Sequence, residues 1–355
     1  MIAPLVSTFG CYSSSDRHSS ARKRRNTRLK CISCAILSLI RVTCASAGAD
    51  PWADEVVDAS AALDGSGLYT DPESVLGEPT RTYYDNAPPG GQFLVSLVAG
   101  AFNLDAPGGN KVITTIESGQ FIKVRFNEPV TDDPRNPFGV DLIVFGNSFF
   151  ISGGSPTPDT DMAAHFLLAA MFAEPVTVAV SASGVGSPVS DPEEWYEYDA
   201  GPFADGLFPT NAYEWNRQTS DWGDPLDYTL PADPSLTVAR FGGLSAASAI
   251  DLYECSGGGT GYNLAPSGLA AIEYVYLTSG GGEVDALADV FASLGDFDRD
   301  GDVDLRDWSQ FQNCFDPQHR ATFPCVCRSA DFDGGHEADL ADHADMASFM
   351  DGPIP

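Results

Sequence analysis

Basic residues are scarce in this 355-residue chain: 19 Lys and Arg stand against 50 Asp and Glu, a formal net charge of −31. Eight of the 19 lie before Thr43, where Asp16 is the single acid, so the remainder carries 11 basic against 49 acidic residues. A surface of that sign repels phosphate backbones and anionic lipid, which excludes nucleic acid as a partner. Long apolar runs are also missing. No stretch after the first 47 residues is long and apolar enough to span a bilayer. Catalytic signatures are missing as well. The chain has no Gly-x-Ser-x-Gly elbow, and His165 stands alone, which favours a structural role. The glycine run Gly257–Gly261 lacks the following Lys and the strand–helix setting of a phosphate loop, so it reads as a turn.

What basic charge there is sits in front. Arg22-Lys-Arg-Arg25 precedes the apolar run from Cys31 to Ile40, and Ala45-Ser-Ala47 then offers a small-x-small cleavage pattern. Charged, short-apolar and small-residue segments in that order make a secretory signal over 1–47. Four of the eight cysteines (Cys11, Cys31, Cys34, Cys44) belong to this leader; Cys255, Cys314, Cys325 and Cys327 remain. In an exported chain Cys314 can pair with Cys325 or Cys327. Zinc is the alternative, although Cys-x-Cys without a paired His is poor zinc spacing.

From 48 to 292 short apolar runs alternate with turn residues, and 35 Gly and 25 Pro supply the turns. Candidate strands are Phe93–Val98, Gln120–Phe126, Asp141–Phe145, Val176–Ala182, Leu236–Phe241 and Ile272–Thr278. Phe121 to Phe126 alternates apolar and basic residues, as a half-buried strand does. Leu142-Ile-Val-Phe145 is continuously apolar, as expected of a strand buried on both faces. Helices are expected at Asp161–Phe172 and Ala246–Tyr253. The pattern predicts a mainly β fold, an antiparallel β-sandwich with long loops. Glu193-Glu194-Trp195 and Asp221-Trp222 could set acids beside sugar-stacking rings, yet scattered loop acids in so acidic a chain are usually solvated.

From 293 to 355 the texture changes. Asp296-Phe-Asp298 recurs as Asp331-Phe-Asp333, and Leu305, Phe311 and Phe315 match Leu340, Met346 and Met350 at the same offset, a two-fold repeat. The first copy, Asp296 to Asp307, fits the twelve-residue calcium loop of EF-hand type. Asp296, Asp298 and Asp300 hold positions 1, 3 and 5, and Gly301 the sharp turn. Asp302 offers its carbonyl, Val303 packs inward, Asp304 acts through water and Asp307 closes the shell. Calcium takes six to eight oxygens, which alternate carboxylates on a tight loop supply. In the second copy Asp331, Asp333, Asp339 and Asp342 hold positions 1, 3, 9 and 12, but Gly335 and His336 replace the position-5 ligand and the turning glycine. Leu305, Trp308, Phe311 and Phe315 are expected to form the helix face that packs against Leu340, Met346 and Met350.

Paired calcium loops, each followed by one helix and closed by Asp, resemble the type I dockerin family. The resemblance covers Leu294 to Met350 and implies an α-helical calcium module that docks onto a cohesin through loop positions 10 and 11, here Leu305-Arg306 and Leu340-Ala341. Asp71 to Pro79, Gly139 to Phe149, Asp233 to Leu236, Ser256 to Leu264 and Glu283 to Leu287 look like signature stretches of bacterial cell-surface β-sandwich proteins. Val75-Leu-Gly-Glu-Pro79 is also similar to galactose-binding-like jelly rolls, many of which bind sugars. The expectation is therefore a secreted or cell-surface, non-catalytic calcium-binding protein. Its β-sandwich recognition domain would precede a docking tail, and its partners would be a cohesin-like or cell-envelope protein or a polysaccharide. The alternative is an extracellular carbohydrate-active enzyme or lectin with the same tail. A second, loop-end calcium site is expected where Asp141 and Asn147 flank a strand beside Gly257–Asn263.

Overall fold

The structure, a computed structural model, describes residue 51 onward except 62, 64–68, 86–90, 103–111, 291–294, 296, 298–302, 316–324, 333–337 and 351–355. The expected leader, with Cys44, lies outside the described residues, and so do Asp296, Asp298, Asp300, Gly301, Asp302, Asp333, Gly335 and His336. Among the described residues no helix is long and apolar enough to cross a membrane.

The fold is mainly β, and every described strand pair is antiparallel. The largest sheet has five strands in the order Glu55–Ala59, Phe121–Thr131, Ala271–Ser279, Val176–Ser181 and Tyr196–Glu197. A three-stranded sheet runs Thr260–Tyr262, Leu142–Phe145, Ala286–Asp289. One core joins the two. Ile122, Val124, Phe126, Val178, Val180, Val275 and Leu277 from the larger sheet meet Leu142, Val144, Tyr262 and Leu287 from the smaller. Strand side chains alternate between faces, so Ile143 and Phe145 leave that core and enter a second one with Tyr83, Phe93 and Tyr228. The continuously apolar run at Leu142–Phe145 is thus explained by burial on both faces. The basic residues of Phe121–Thr131 face the far side of the larger sheet. There Lys123 is buried, and its Nζ donates to the carbonyls of Gly184 and Gly186, both at 3.1 Å.

A third core gathers Phe150, Met162, Leu167, Phe208, Phe241, Ile250 and Tyr253. Two sequence expectations fail here. Asp161–Phe172 is not a helix: turns lead into a strand, Leu167–Phe172, paired with Phe149–Ser152. Phe149 stacks on Phe172 at 5.3 Å, and cross-strand packing of this kind overrides helix propensity. Leu236–Phe241 is not a strand either. Asp233 accepts hydrogen bonds from the Ser235 amide (2.8 Å) and hydroxyl (2.9 Å), forming an Asx turn that leads into the short helix Val238–Phe241. The helix expected from Ala246 forms over Ala246–Asp251, capped by Ser245.

The C-terminal repeat forms two ten-residue helices, Leu305–Cys314 and Leu340–Phe349, around a small core of Val303, Phe311, Ala330, Ala338 and Met346. Two disulfides hold this segment. Cys314 pairs with Cys327, and Cys325 reaches back to Cys255 beside the short helix of the β domain.

Candidate functional sites

The tail repeats its hydrogen bonding as well as its sequence. Asp307 is fully buried; its Oδ1 accepts the amide of Phe297 (2.6 Å) and its Oδ2 that of Asp304 (2.8 Å). One repeat later Asp342, also fully buried, accepts the amides of Phe332 (2.6 Å) and Asp339 (2.8 Å). Asp304 and Asp339 each cap the following helix through the amides of Arg306 (2.6 Å) and Ala341 (2.7 Å). Each closing carboxylate therefore staples the start of its loop to the start of its helix. An ionised carboxylate oxygen has two acceptor directions, so each can take one amide and still face a cation. This donor set fits a hard ion such as calcium.

The helices meet across the repeat. Phe311 stacks on Phe332 with ring centroids 5.9 Å apart, and Trp308 meets its own counterpart, His343, edge-on at 4.9 Å. Gly295 has φ +94°, and a Cβ there would lie 3.1 Å from Met346 Sδ, so the entry to the first loop passes close against the second helix. The expected packing face needs one correction. Leu305 and Leu340 do not pack inward; they are 74% and 72% exposed. Each lies two residues before its buried aspartate, about 200° around the helix from it, and so points away from the core.

The expected loop-end site at Asp141 is a structural corner instead. Asp141 is fully buried, and its oxygens accept from Asp133 N (3.1 Å), Asn136 Nδ2 (2.8 Å) and Leu264 N (2.8 Å). It ties the entry of Leu142–Phe145 to two turns. The glycine run nearby is set by packing: Gly259 has φ +82°, and a Cβ would meet Ile143 Cγ2 at 2.4 Å. Burial raises the Asp141 carboxyl, and Asp289, raised to about 7 by burial and then by the charge of Asp141, lies close by. In the unfolded chain Asp289 titrates near 3.9. Between about 4 and 7 the folded state keeps a proton that the unfolded state has lost, so stability falls as pH rises through that window. Asp289→Asn is expected to melt with the parent below pH 4 and above it by pH 8. The ceiling on that gap is about 4 kcal/mol, reduced by whatever water reaches the group. A gap that stays constant with pH would refute this assignment.

His165 shares a 2.7 Å hydrogen bond with Ser152 Oγ, and burial lowers its pKa. The acid–aromatic pairs do not form stacking platforms. Trp195 is buried against Tyr276 with its indole donating to Val185 (2.8 Å), and Trp222 packs edge-on to Trp215.

No protein-family model matches this chain, and no curated protein matches it either. Its sites are therefore read from their own geometry.

One site was not legible from local motifs. Glu174, Asp205 and Glu283 bring carboxylate oxygens within 4.8 Å of one another, an arrangement that could hold a metal ion. Glu174 lies between the strands Leu167–Phe172 and Val176–Ser181, and Glu283 is on Gly282–Val284. Asp205 follows Ala204, which is bridged to Val176 by two 2.9 Å backbone hydrogen bonds. Asp205 is 2% exposed; its Oδ1 accepts the Ser148 amide (2.6 Å), while Oδ2 is buried without a hydrogen-bond partner. Glu283 Oε1 accepts from Thr115 Oγ1 (3.2 Å), and Oε2 is likewise buried and unpartnered. Gly146 leaves the necessary room, since a Cβ there would lie 2.3 Å from Asp205 Oδ1. Burial pushes Asp205 up to about 8, with nearby amides of Ser148, Glu174 and Asn147 opposing it. Burial and the adjacent Glu174 carboxyl push Glu283 up to about 9.

Proposed function

We propose that this chain is an exported, non-catalytic calcium-binding protein of the cell surface, in which a β-sandwich recognition domain carries a dockerin-like docking tail. The observation that carries the reading is the equivalence of Asp307 and Asp342. Two buried carboxylates a full repeat apart make the same two amide contacts, the arrangement expected of paired calcium loops each followed by a helix. The strong ion site comprises Asp296, Asp298, Asp300, Asp302, Asp304 and Asp307; Asp331, Asp333, Asp339 and Asp342 form the weaker one. Two sheets sharing one core support the sandwich reading of the β domain.

The docking role draws support from the exposed leucines. Leu305 and Leu340 occupy the same loop position in each repeat, outward on otherwise polar helix starts. Two leucines exposed at matching positions offer a partner apolar surface whose burial favours binding. The test uses chain recovered from outside the cell, beginning within a few residues of Gly48. It should bind the isolated cell-envelope fraction in calcium and be released by chelator. Leu305→Asp/Leu340→Asp should keep the calcium-induced protection of the tail from protease and lose envelope binding at least tenfold. Undiminished binding by that variant would remove the docking role. Cytosolic recovery of a chain starting at Met1 would remove export.

A further inference from the structure

Three carboxyl groups seldom share a half-buried space without something to balance them, and among the described residues no ion pair to the Glu174–Asp205–Glu283 cluster is seen. Ion pairs join Arg81 to Glu78, Arg125 to Glu273, Arg135 to Asp133 and Arg217 to Asp251, and none of these involves the cluster. Asp205 is held in place as a ligand would be. Its backbone takes φ +52°, its Oδ1 is fixed by the Ser148 amide, and its other oxygen is buried without a hydrogen-bond partner. Glu283 repeats the pattern: one oxygen is oriented by Thr115, and the other finds no amide or hydroxyl donor, only the neighbouring carboxyl of Glu174. An orphaned buried carboxylate oxygen is costly, because desolvation is not offset by any hydrogen bond. Two such oxygens in one cluster point to a missing positive partner.

We propose that Glu174, Asp205 and Glu283 form a calcium site within the β domain, separate from the loops of the tail. The donors are all oxygens, which favours a hard divalent ion over zinc or copper. Oxygens on calcium sit about 2.3–2.6 Å from the ion and so lie at most about 5 Å apart, compatible with carboxylate oxygens that all lie within 4.8 Å of one another. Calcium also tolerates the irregular geometry of three side chains drawn from separate segments, whereas magnesium demands near-ideal octahedral order.

The position gives the ion a structural task. Glu174 precedes Val176–Ser181 of the large sheet; Glu283 sits on the strand paired with Thr114–Ile116; and Asp205 is hydrogen-bonded to the end of Leu142–Phe145 through Ser148. One ion would tie both sheets of the shared core at a single point. Asn147, next to the amide that holds Asp205, has a further buried Oδ1 without a partner.

The test is calcium stoichiometry on the full chain, by titration calorimetry after chelation, comparing the parent with Asp205→Asn and with Glu283→Gln. Both replacements keep the shape and the acceptor oxygen while removing charge. Each variant is expected to bind one calcium fewer, or to bind that ion at least tenfold more weakly, with the calcium-induced protection of the tail unchanged. In chelator each should melt no lower than the parent, since an unbalanced carboxyl has been removed. Crystals soaked in terbium should show an anomalous peak among the three carboxyls. Unchanged stoichiometry in both variants, or a terbium map occupied at the tail but blank here, would overturn the proposal and leave the cluster held by shared protons. Absence of calcium protection in the parent tail would count against the docking reading alone.

Discussion

Asp307→Ala is expected to abolish the calcium-dependent folding of the tail. The side chain is fully buried and accepts two amides, those of Phe297 and Asp304, so its removal leaves two donors without their charged acceptor. Hydrogen bonds to a charged group contribute roughly 1.5–3 kcal/mol each. Losing both costs about 3 kcal/mol or more before any ion is considered, a large part of what a small helical module has to spare. With calcium the loss grows, because binding energy is folding energy in a loop whose carboxylates repel one another when empty. Asp342→Ala separates the two contributions. It breaks the equivalent staple at Phe332 and Asp339, but in a loop that lacks the position-5 ligand and the turning glycine. It should therefore lower tail stability by a similar amount in chelator and in calcium, leaving the calcium-induced increment intact. Hydrogen exchange at the amides of 305–314, in chelator and in millimolar calcium, reads both. Equal calcium-induced protection in Asp307→Ala and the parent would refute the assignment.

How much of this could be read from the sequence depends on how local each cause is. The two-fold repeat of the tail was legible because its residues recur at one fixed offset, but the capping boxes at Asp304–Asp307 and Asp339–Asp342 were not read from it. The runs at Phe121–Phe126 and Leu142–Phe145 were legible because a period of two maps directly onto sheet faces. The misread segments are those where tertiary contact decided. The Asp161–Phe172 stretch carries a helix-like composition, and only the distant partner Phe149–Ser152 makes part of it a strand. Leu305 and Leu340 looked like core because apolar residues at helical spacing usually are, yet the buried aspartates fix the helix phase against them. Glu174 and Asp205 had no signature, and Glu283 opened a signature stretch that did not mark it as a ligand. They come from three distant segments, and each by itself is one more acid in an acidic chain. The one local trace is Gly146, whose missing side chain makes room for Asp205.

Removing the Cys255–Cys325 disulfide is expected to uncouple the tail from the β domain. Its partners are 70 residues apart, whereas those of Cys314–Cys327 are 13 apart. By loop-closure entropy a cross-link of the longer span is worth on the order of 4 kcal/mol and the shorter on the order of 3 kcal/mol. The longer bond also has a mechanical role. Cys255 and Cys325 both pack at the edge of the core built around Phe241, Ile250 and Tyr253, so this bond seats the segment Cys325–Ala330 against the β domain. That segment in turn places Ala330 in the small tail core and Cys327 against the first helix. In Cys255→Ser/Cys325→Ser the tail should still fold when calcium is present, held by its own staples and by Cys314–Cys327. In chelator it should melt well before the β domain, so that calorimetry resolves two transitions where the parent shows one. Peptide mapping of the unreduced parent should recover the Cys255 peptide joined to Cys325. The two spacings open to a reader of the sequence, Cys314 with Cys325 or with Cys327, are separated by the same map. A single cooperative transition in the double variant without calcium would mean that the tail is held to the β domain by packing alone, and the tether assigned to this bond would be wrong.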